Sequence, residues 1–291
     1  MSGIKAIVSS LIIFVIAGLI ALALGQNSFL IGTVPASLFI VLAVFAIQWL
    51  AFIPAFIFQT ERFFDAMGSA TYIAVAIFSL SLLEAPSSVQ WIVAALVVVW
   101  ALRLGSYLLL RIVRDGKDGR FDELKPNFFL FLNVWNIQAL WVTLTAAAAL
   151  AVLTSPGSAK FTLWTAIGLA LWLAGFVIEA VADRQKSSFR RQSANKDRFI
   201  DTGLWSLSRH PNYFGEIVIW LGMAVIAFPA LQGWQHVSLI SPIFVTFLLT
   251  KVSGVPLLEK RADKKWGKRE DYQQYKANTP VLIPGILFNR Q

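Results

Sequence analysis

The densest run of chemically capable side chains lies between Gly203 and Glu216, GLWSLSRHPNYFGE. Arg209 is a permanent cation, His210 titrates near neutrality, and Asn212, Tyr213 and Glu216 add an amide, a phenol and a carboxylate. Proline at 211 biases His210 away from helix and suits the first turn of a new one, so the spacing predicts a loop ending in a helix that starts near Asn212. Such a start presents free backbone N–H groups and a positive dipole end, which suit a phosphate or an anionic intermediate. The same residue types also describe a basic interfacial loop of a membrane protein.

The elements that must position this run are apolar. Hydrophobic residues make up 57% of the 291, only 14% are charged, and mean hydropathy is +0.67. That composition excludes a soluble globular domain and specifies a polytopic membrane protein. With no cysteine, disulfides and thiol chemistry are excluded, and two histidines without an HExxH run leave no expected metal site. A net charge of +9 without a nucleic-acid-binding module points to anionic lipid rather than nucleic acid.

Eight apolar runs are long enough to be spans: 4–24, 36–58, 69–83, 89–110, 128–153, 161–182, 212–227 and 238–251. The expected fold is an all-α transmembrane bundle of seven or eight spans, eight by this count, with cytoplasmic cofactor-binding loops. Positive charge supports the count. Lys5, Arg62, five Lys or Arg in 111–125, seven in 183–211 and eight from Lys260 to Arg290 all fall on one side of eight spans. Lys160 alone sits in a loop on the other side, with Arg103 and Lys251 inside spans. This asymmetry places both termini in the cytoplasm. The chain reads as one membrane-embedded domain, with N-terminal helices to 58, substrate-side helices over 59–182 and a cofactor-binding half from 183 onward.

On this topology Glu61, Asp65, the 111–125 loop, the RHPNY run and the tail all meet the cytoplasmic face. Ionisable groups at membrane depth are costly and usually line a cavity or pair, so Glu61, Asp65, Arg103 and Glu179 are candidates to face an internal pocket. Arg111, Arg114, Lys117, Arg120, Arg184, Lys186, Arg190, Arg191 and Arg209 supply charge that suits a phosphorylated cofactor, including a ribose 2′-phosphate, while the absence of GxGxxG and P-loop runs excludes a Rossmann or Walker site.

The run from Thr202 to Glu216 resembles the cofactor motif of the membrane-bound steroid 5α-reductase and sterol reductase superfamily. The tail, with Glu259, Lys265-Trp266-Gly267, Tyr272, Tyr275 and Leu282-Ile283-Pro284, is similar to the ending of those enzymes. The runs Trp100 to Tyr107 and Gln59 to Asp65 resemble the bacterial branch of the superfamily. The resemblance covers about residues 59 to 288. It implies an oxidoreductase of the bacterial inner membrane that takes NADPH from the cytosol and an apolar enone from the bilayer. Carried over by position, Asp183, Arg190, Asn212, Tyr213 and Glu216 contact the cofactor, with Arg103, Arg209, His210, Lys251, Glu259, Lys260 and Tyr275 as further candidates. On the substrate side the superfamily's Gln-Glu pair is interrupted here as Gln59-Thr60-Glu61, and Trp100 stands where a tyrosine is expected. Tyr107, one turn beyond Arg103, is the substitute.

The chemistry expected is hydride addition to the β carbon of an enone such as a 3-oxo-Δ4-steroid, with donors placed at the carbonyl oxygen where negative charge develops. Glu61, kept protonated by apolar surroundings, is the nominated donor, assisted by Gln59 or Tyr107 and oriented by Asp65. The alternative is a membrane methyltransferase using S-adenosylmethionine, because isoprenylcysteine and phospholipid methyltransferases carry a similar RHP-x-Y and tail. That cofactor is cationic and lacks phosphates, so it has no need of a ring of arginines.

Overall fold

The computed structural model describes residues 3–157 and 159–285, so Arg290 lies outside the described residues. Among them, eight helical stretches are long and apolar enough to cross a membrane, and the protein is an integral, all-α membrane protein. The helices are α1 Gly3–Gly25, α2 Ala36–Ile57, α3 Phe64–Ser81, α4 Ser88–Asp115, α5 Phe128–Thr145, α6 Ala147–Leu153, α7 Leu163–Arg191, α8 Pro211–Ala227, α9 Ile240–Phe247, α10 Val255–Trp266 and α11 Glu270–Asn278. The only strands among the described residues, β1 Leu30–Ile31 and β2 Val34–Pro35, form a small antiparallel hairpin between α1 and α2.

Several boundaries differ from the hydropathy pattern: α3 starts at Phe64 rather than 69, α4 runs on to Asp115 and carries Arg111 and Arg114 out of the loop expected over 111–125, and the 128–153 run is divided into α5 and α6 at Ala146. The sixth span continues as α7 to Arg191, so Asp183 and Arg190 sit on a helix rather than in the long loop expected from 183 onward. The segment DRQKSSFRR contains no glycine or proline to stop it, and helix propensity carries it past the apolar stretch. The last span is interrupted. After α9 the backbone widens into a π-helical turn, Leu248–Val252, and breaks at Gly254 before α10 opens with Pro256 in its first turn.

By internal contacts the chain forms two compact units, Met1–Thr165 with Ile226–Ser241, and Ala166–Val225 with Pro242–Gln291. In the first, polar side chains link helices at membrane depth. Ser10 Oγ donates to Asn133 Oδ1 at 3.0 Å and accepts from Asn136 Nδ2 at 3.0 Å, while Trp49 Nε1 donates to Asn136 Oδ1 at 2.8 Å, joining α1, α2 and α5. Such bonds hold helices together where lipid supplies no hydrophobic drive. Ser87 and Gln90 form a reciprocal cap on α4. The Gln90 amide also donates to the carbonyls of Val152 and Ser155, fastening α4 to the end of α6.

In the second unit α7 and α8 meet through glycines. A Cβ on Gly175 would lie 2.6 Å from the Gly215 carbonyl oxygen, one on Gly215 would lie 2.7 Å from the Glu179 nitrogen, and one on Gly222 would lie 2.6 Å from the Gly168 carbonyl oxygen. Small residues at these points let two membrane helices approach backbone to backbone. That approach places Asp183 of α7 beside the first turn of α8.

Candidate functional site

The helix expected near Asn212 begins at Pro211, and the loop before it is fixed by the tail. Arg209 N donates to Pro280 O at 2.9 Å, Gly285 N to Leu207 O at 2.8 Å, and the fully buried Ser208 donates its hydroxyl to Leu282 O at 2.8 Å. This backbone grip aims Arg209 and His210 at α10. There the Glu259 carboxylate accepts from Arg209 Nη1 at 2.7 Å, lies 2.9 Å from His210 Nε2 and 3.4 Å from Lys276 Nζ. The Tyr213 ring stacks on His210, with centroids 5.5 Å apart and planes 8° from parallel. Its close packing depends on Gly254, where a Cβ would meet Tyr213 Cε2 at 2.8 Å.

His210 is only 4% exposed. Burial pushes its pKa below the usual histidine value, and the nearby charges of Lys186 and Arg209 add to this, against the opposing pull of Glu259. A neutral imidazole facing an acceptor-only carboxylate donates from Nε2.

Above this network opens a cavity of about 280 Å³. Five of the expected residues line it: Arg190, Arg209, His210, Glu259 and Tyr275. The rest of the wall is Lys186, Phe189, Arg198, Phe199, Ile200, Trp205, Leu258, Arg261, Ala262, Lys265, Trp266 and Tyr272. The aromatic members are mutually packed, with Phe199 5.2 Å from Tyr272, 5.3 Å from Tyr275 and 6.0 Å from Trp266. Tyr275 donates its hydroxyl to Trp205 O at 2.7 Å, and Trp205 donates Nε1 to Ala182 O at 3.1 Å. Burial raises the pKa of both Tyr272 and Tyr275, so both remain neutral phenols.

The cations divide into two sets. Arg209 is engaged by Glu259, Lys186 lies 4.5 Å above the Trp205 ring, and Lys265 donates to Lys196 O at 3.0 Å. Arg190, Arg198 and Arg261 line the cavity without an ion-pair partner among the described residues. The arrangement presents aromatic faces and unneutralised guanidinium groups to one small space, chemistry suited to a planar base bearing phosphate. Arg198, Phe199, Arg261, Trp266 and Tyr272 were not among the residues singled out as cofactor contacts by sequence. The available signal was a basic residue adjoining an aromatic one, at Arg198-Phe199 and Lys265-Trp266.

The other expected contacts lie elsewhere in this unit. Asn212 Nδ2 donates to Asp183 Oδ1 at 3.2 Å, and Asp183 and Glu216 are buried. Lys251 lies in the π turn and Lys260 on α10; both are exposed and neither lines the cavity.

In the first unit the loop between α2 and α3 is held by the chain after α4. Glu61, 4% exposed, accepts from Lys125 Nζ at 2.5 Å and from Asp118 N at 2.9 Å. Burial alone would raise its pKa, but the Lys125 and Asp118 hydrogen bonds and the Lys125 charge outweigh it and hold the carboxyl below its usual value. The Lys125 pKa is raised, with burial again overcome by Glu61 and Asp122. The neutral Glu61 expected from apolar surroundings is therefore replaced by an ionised carboxylate in a buried pair. Asp65 bonds Arg111 at 2.9 Å rather than orienting Glu61. Gln59 is exposed at the end of α2 with φ of 50°, its amide donating to Phe56 O, a helix-terminating role. Arg103 and Tyr107 are half-buried on α4.

The pair has a measurable consequence. Glu61→Gln strands the buried Lys125 ammonium and should cost about 2–4 kcal/mol, whereas Glu61→Leu with Lys125→Leu should recover most of that loss. Unfolding of the purified single and double variants measures this coupling, and additive losses would refute it. Its contribution is full above pH 4.5 and below pH 10.5, and is lost as pH falls through the folded Glu61 pKa or rises through that of Lys125.

Residues 51–279 match the family described as "Protein of unknown function (DUF1295)". The chain is 30% identical over 120 residues to a 3-oxo-5-alpha-steroid 4-dehydrogenase 1 of Rattus norvegicus, covering 41% of each chain. It is 29% identical over 119 residues to the steroid 5-alpha-reductase DET2 of Gossypium hirsutum, again covering 41% of each. An uncharacterized protein of Schizosaccharomyces pombe is 27% identical over 175 residues, covering 49% of this chain and 50% of that one. The matched region thus spans between two fifths and half the length of these curated relatives. No solved structure matches the chain. Eight apolar helices, the RHPNY run clasped by the tail and these matches together show that the chain belongs to the DUF1295 family, within the steroid 5α-reductase superfamily.

Proposed function

We propose that the protein is an NADPH-dependent membrane reductase that saturates the C=C bond of an apolar α,β-unsaturated ketone, such as a 3-oxo-Δ4-steroid, entering from the bilayer. The observation that carries the reading is the cavity beside Arg209 and His210, where aromatic rings share one wall with arginines that have no ion pair among the described residues. The residues fit the cofactor's chemistry. Arg190, Arg198 and Arg261 would neutralise phosphate, and Phe199 and Tyr275 would offer faces to a base. At about 280 Å³, near the lower end of ligand pockets (roughly 300–1,000 Å³), the cavity suits one phosphorylated nucleoside of a dinucleotide. The comparisons support the reaction class, since one relative above is named a steroid 5-alpha-reductase and another a 3-oxo-5-alpha-steroid 4-dehydrogenase.

When bound, NADPH supplies a hydride equivalent. Buried Asp183 and Glu216, with Asn212, are the residues near the start of α8 that would hold its polar groups. As the β carbon is reduced, negative charge grows on the carbonyl oxygen, and a neutral hydroxyl there lowers the barrier. Tyr107 takes that role in place of Glu61, whose ionised carboxylate can only accept. A proton from water or a side chain completes the α carbon. The concentration of Lys and Arg in alternate loops supports a cytoplasmic cofactor site and cytoplasmic termini, in a bacterial inner membrane.

The test is direct. Purified full-length protein should quench or shift nicotinamide fluorescence on binding NADPH, and should oxidise NADPH when given a 3-oxo-Δ4-steroid, yielding the ring-saturated ketone. Binding of S-adenosylmethionine in place of NADPH, or no NADPH binding, would overturn the proposal.

A further inference from the structure

The cavity wall carries more cationic chemistry than a pyrophosphate bridge requires, and the surplus is unevenly placed. Three cations already have partners: Arg209 on Glu259, Lys186 over Trp205, Lys265 on Lys196 O. Among the described residues Arg190, Arg198 and Arg261 have no ion pair; Arg190 lies on α7, while Arg198 and Arg261 come from two further elements, the segment after α7 and the helix α10. These elements are held in register. Trp266 Nε1 donates to Asp197 O at 2.9 Å and Lys265 Nζ to Lys196 O at 3.0 Å, so the backbone beside Arg198 is fixed against the helix that carries Arg261. Both arginines belong to the wall that also contains Phe199, Trp266, Tyr272 and Tyr275.

A dianionic phosphomonoester is the group that needs two fixed guanidinium partners, each able to donate in a bidentate fork. NADPH and NADH differ only by such a monoester, on the ribose that bears the adenine. The cavity has room for one nucleoside, and the nicotinamide half carries no monoester. We infer that Arg198 and Arg261 are the specificity-determining residues that grip the 2′-phosphate of the adenosine end and make the site select NADPH over NADH. Phe199 and its neighbours then face the adenine. This assignment rests on the NADPH-binding reading above and says which residues enforce it.

The experiment measures binding to full-length protein in detergent, using NADPH, NADH and 2′,5′-ADP as probes. Arg198→Ala with Arg261→Ala should weaken NADPH and 2′,5′-ADP by about 100-fold, the scale of losing two charged hydrogen bonds, while NADH changes by no more than about threefold. Both side chains are exposed, and unchanged NADH affinity shows that the variant is folded. A preserved preference for NADPH overturns the assignment. Equal weakening of both dinucleotides also overturns it, because the arginines would then be holding the shared pyrophosphate. If the parent protein binds neither dinucleotide, the cofactor reading itself falls and this assignment falls with it. A parent that binds NADPH, with a variant of unchanged selectivity, sinks the assignment alone.

Discussion

Gly175→Ala should lower the stability of the protein by about 3 kcal/mol and sharply reduce the yield of folded material, a large effect for a single methyl group. The added Cβ would sit 2.6 Å from the Gly215 carbonyl oxygen and 2.7 Å from the Ile219 nitrogen. Both are backbone atoms of α8, inside a hydrogen-bonded helix, and cannot swing aside as a long side chain would. Relief comes only from separating α7 and α8. That separation would part Asp183 from Asn212 and shift the start of α8, so binding at the cavity should weaken with stability. Gly18→Ala is the control, because nothing lies within 4 Å of a Cβ at that position on α1. It exchanges one helix glycine for alanine, a better helix former, and should be neutral or slightly stabilising. Thermal unfolding of the two variants in the same detergent checks the contrast, and a Gly175→Ala protein as stable as the parent would show that the helices are not in backbone contact.

The membrane architecture was legible because spans are long uniform runs, and hydropathy averages over them. Proline at 211 placed the start of α8 within one residue, since its fixed φ and missing N–H act locally. What depends on tertiary partners was not legible. The end of α7 was hidden because Asp183–Arg191 is polar yet helical, so loss of hydropathy marked the membrane boundary rather than the helix end. The π turn at Leu248–Val252 has no sequence signature of its own. Glu61 shows the same limit in the site. Its sequence neighbours, Thr60 and Arg62, name no partner for it, whereas Lys125 arrives from 64 positions away and reverses the expected protonation state. Of the cavity residues, Arg209 and His210 are legible in the motif, Glu259 and Tyr275 in the tail and Arg190 by its position before the motif, while Arg198 and Arg261 look like ordinary surface arginines until the 193–202 segment folds against α10.

Glu259→Ala should be the most damaging change in the cavity, because one carboxylate there serves three cationic or donor groups. It accepts from Arg209 at 2.7 Å and His210 at 2.9 Å and attracts Lys276 at 3.4 Å. Arg209 and His210 are largely buried, with side-chain exposures of 13% and 6%. Truncation strands a guanidinium and an imidazole N–H away from water, a loss of about 3 kcal/mol by the standard of broken buried pairs. Removing a negative charge from the cavity favours an anionic ligand, but it also frees Arg209 and His210 from the geometry that aims them. Ligand binding should therefore fall, and Glu259→Gln, which keeps an acceptor, should fall less. The pH dependence separates this from a general loss of packing. Above pH 6.5 His210 is neutral both folded and unfolded, and its contribution is flat. Below pH 6.5 the unfolded chain takes up a proton that the buried imidazole resists, so stability declines until the folded pKa is reached. Glu259 is a group that holds that folded pKa up. Without it the folded pKa drops further, and the decline should continue to lower pH in Glu259→Ala than in the parent. Unfolding midpoints across the acid range for Glu259→Ala with and without His210→Asn decide the matter, because both lack the titration of Glu259 itself: the decline below pH 6.5 must shrink when His210 is replaced, and its persistence there would assign the effect to another group.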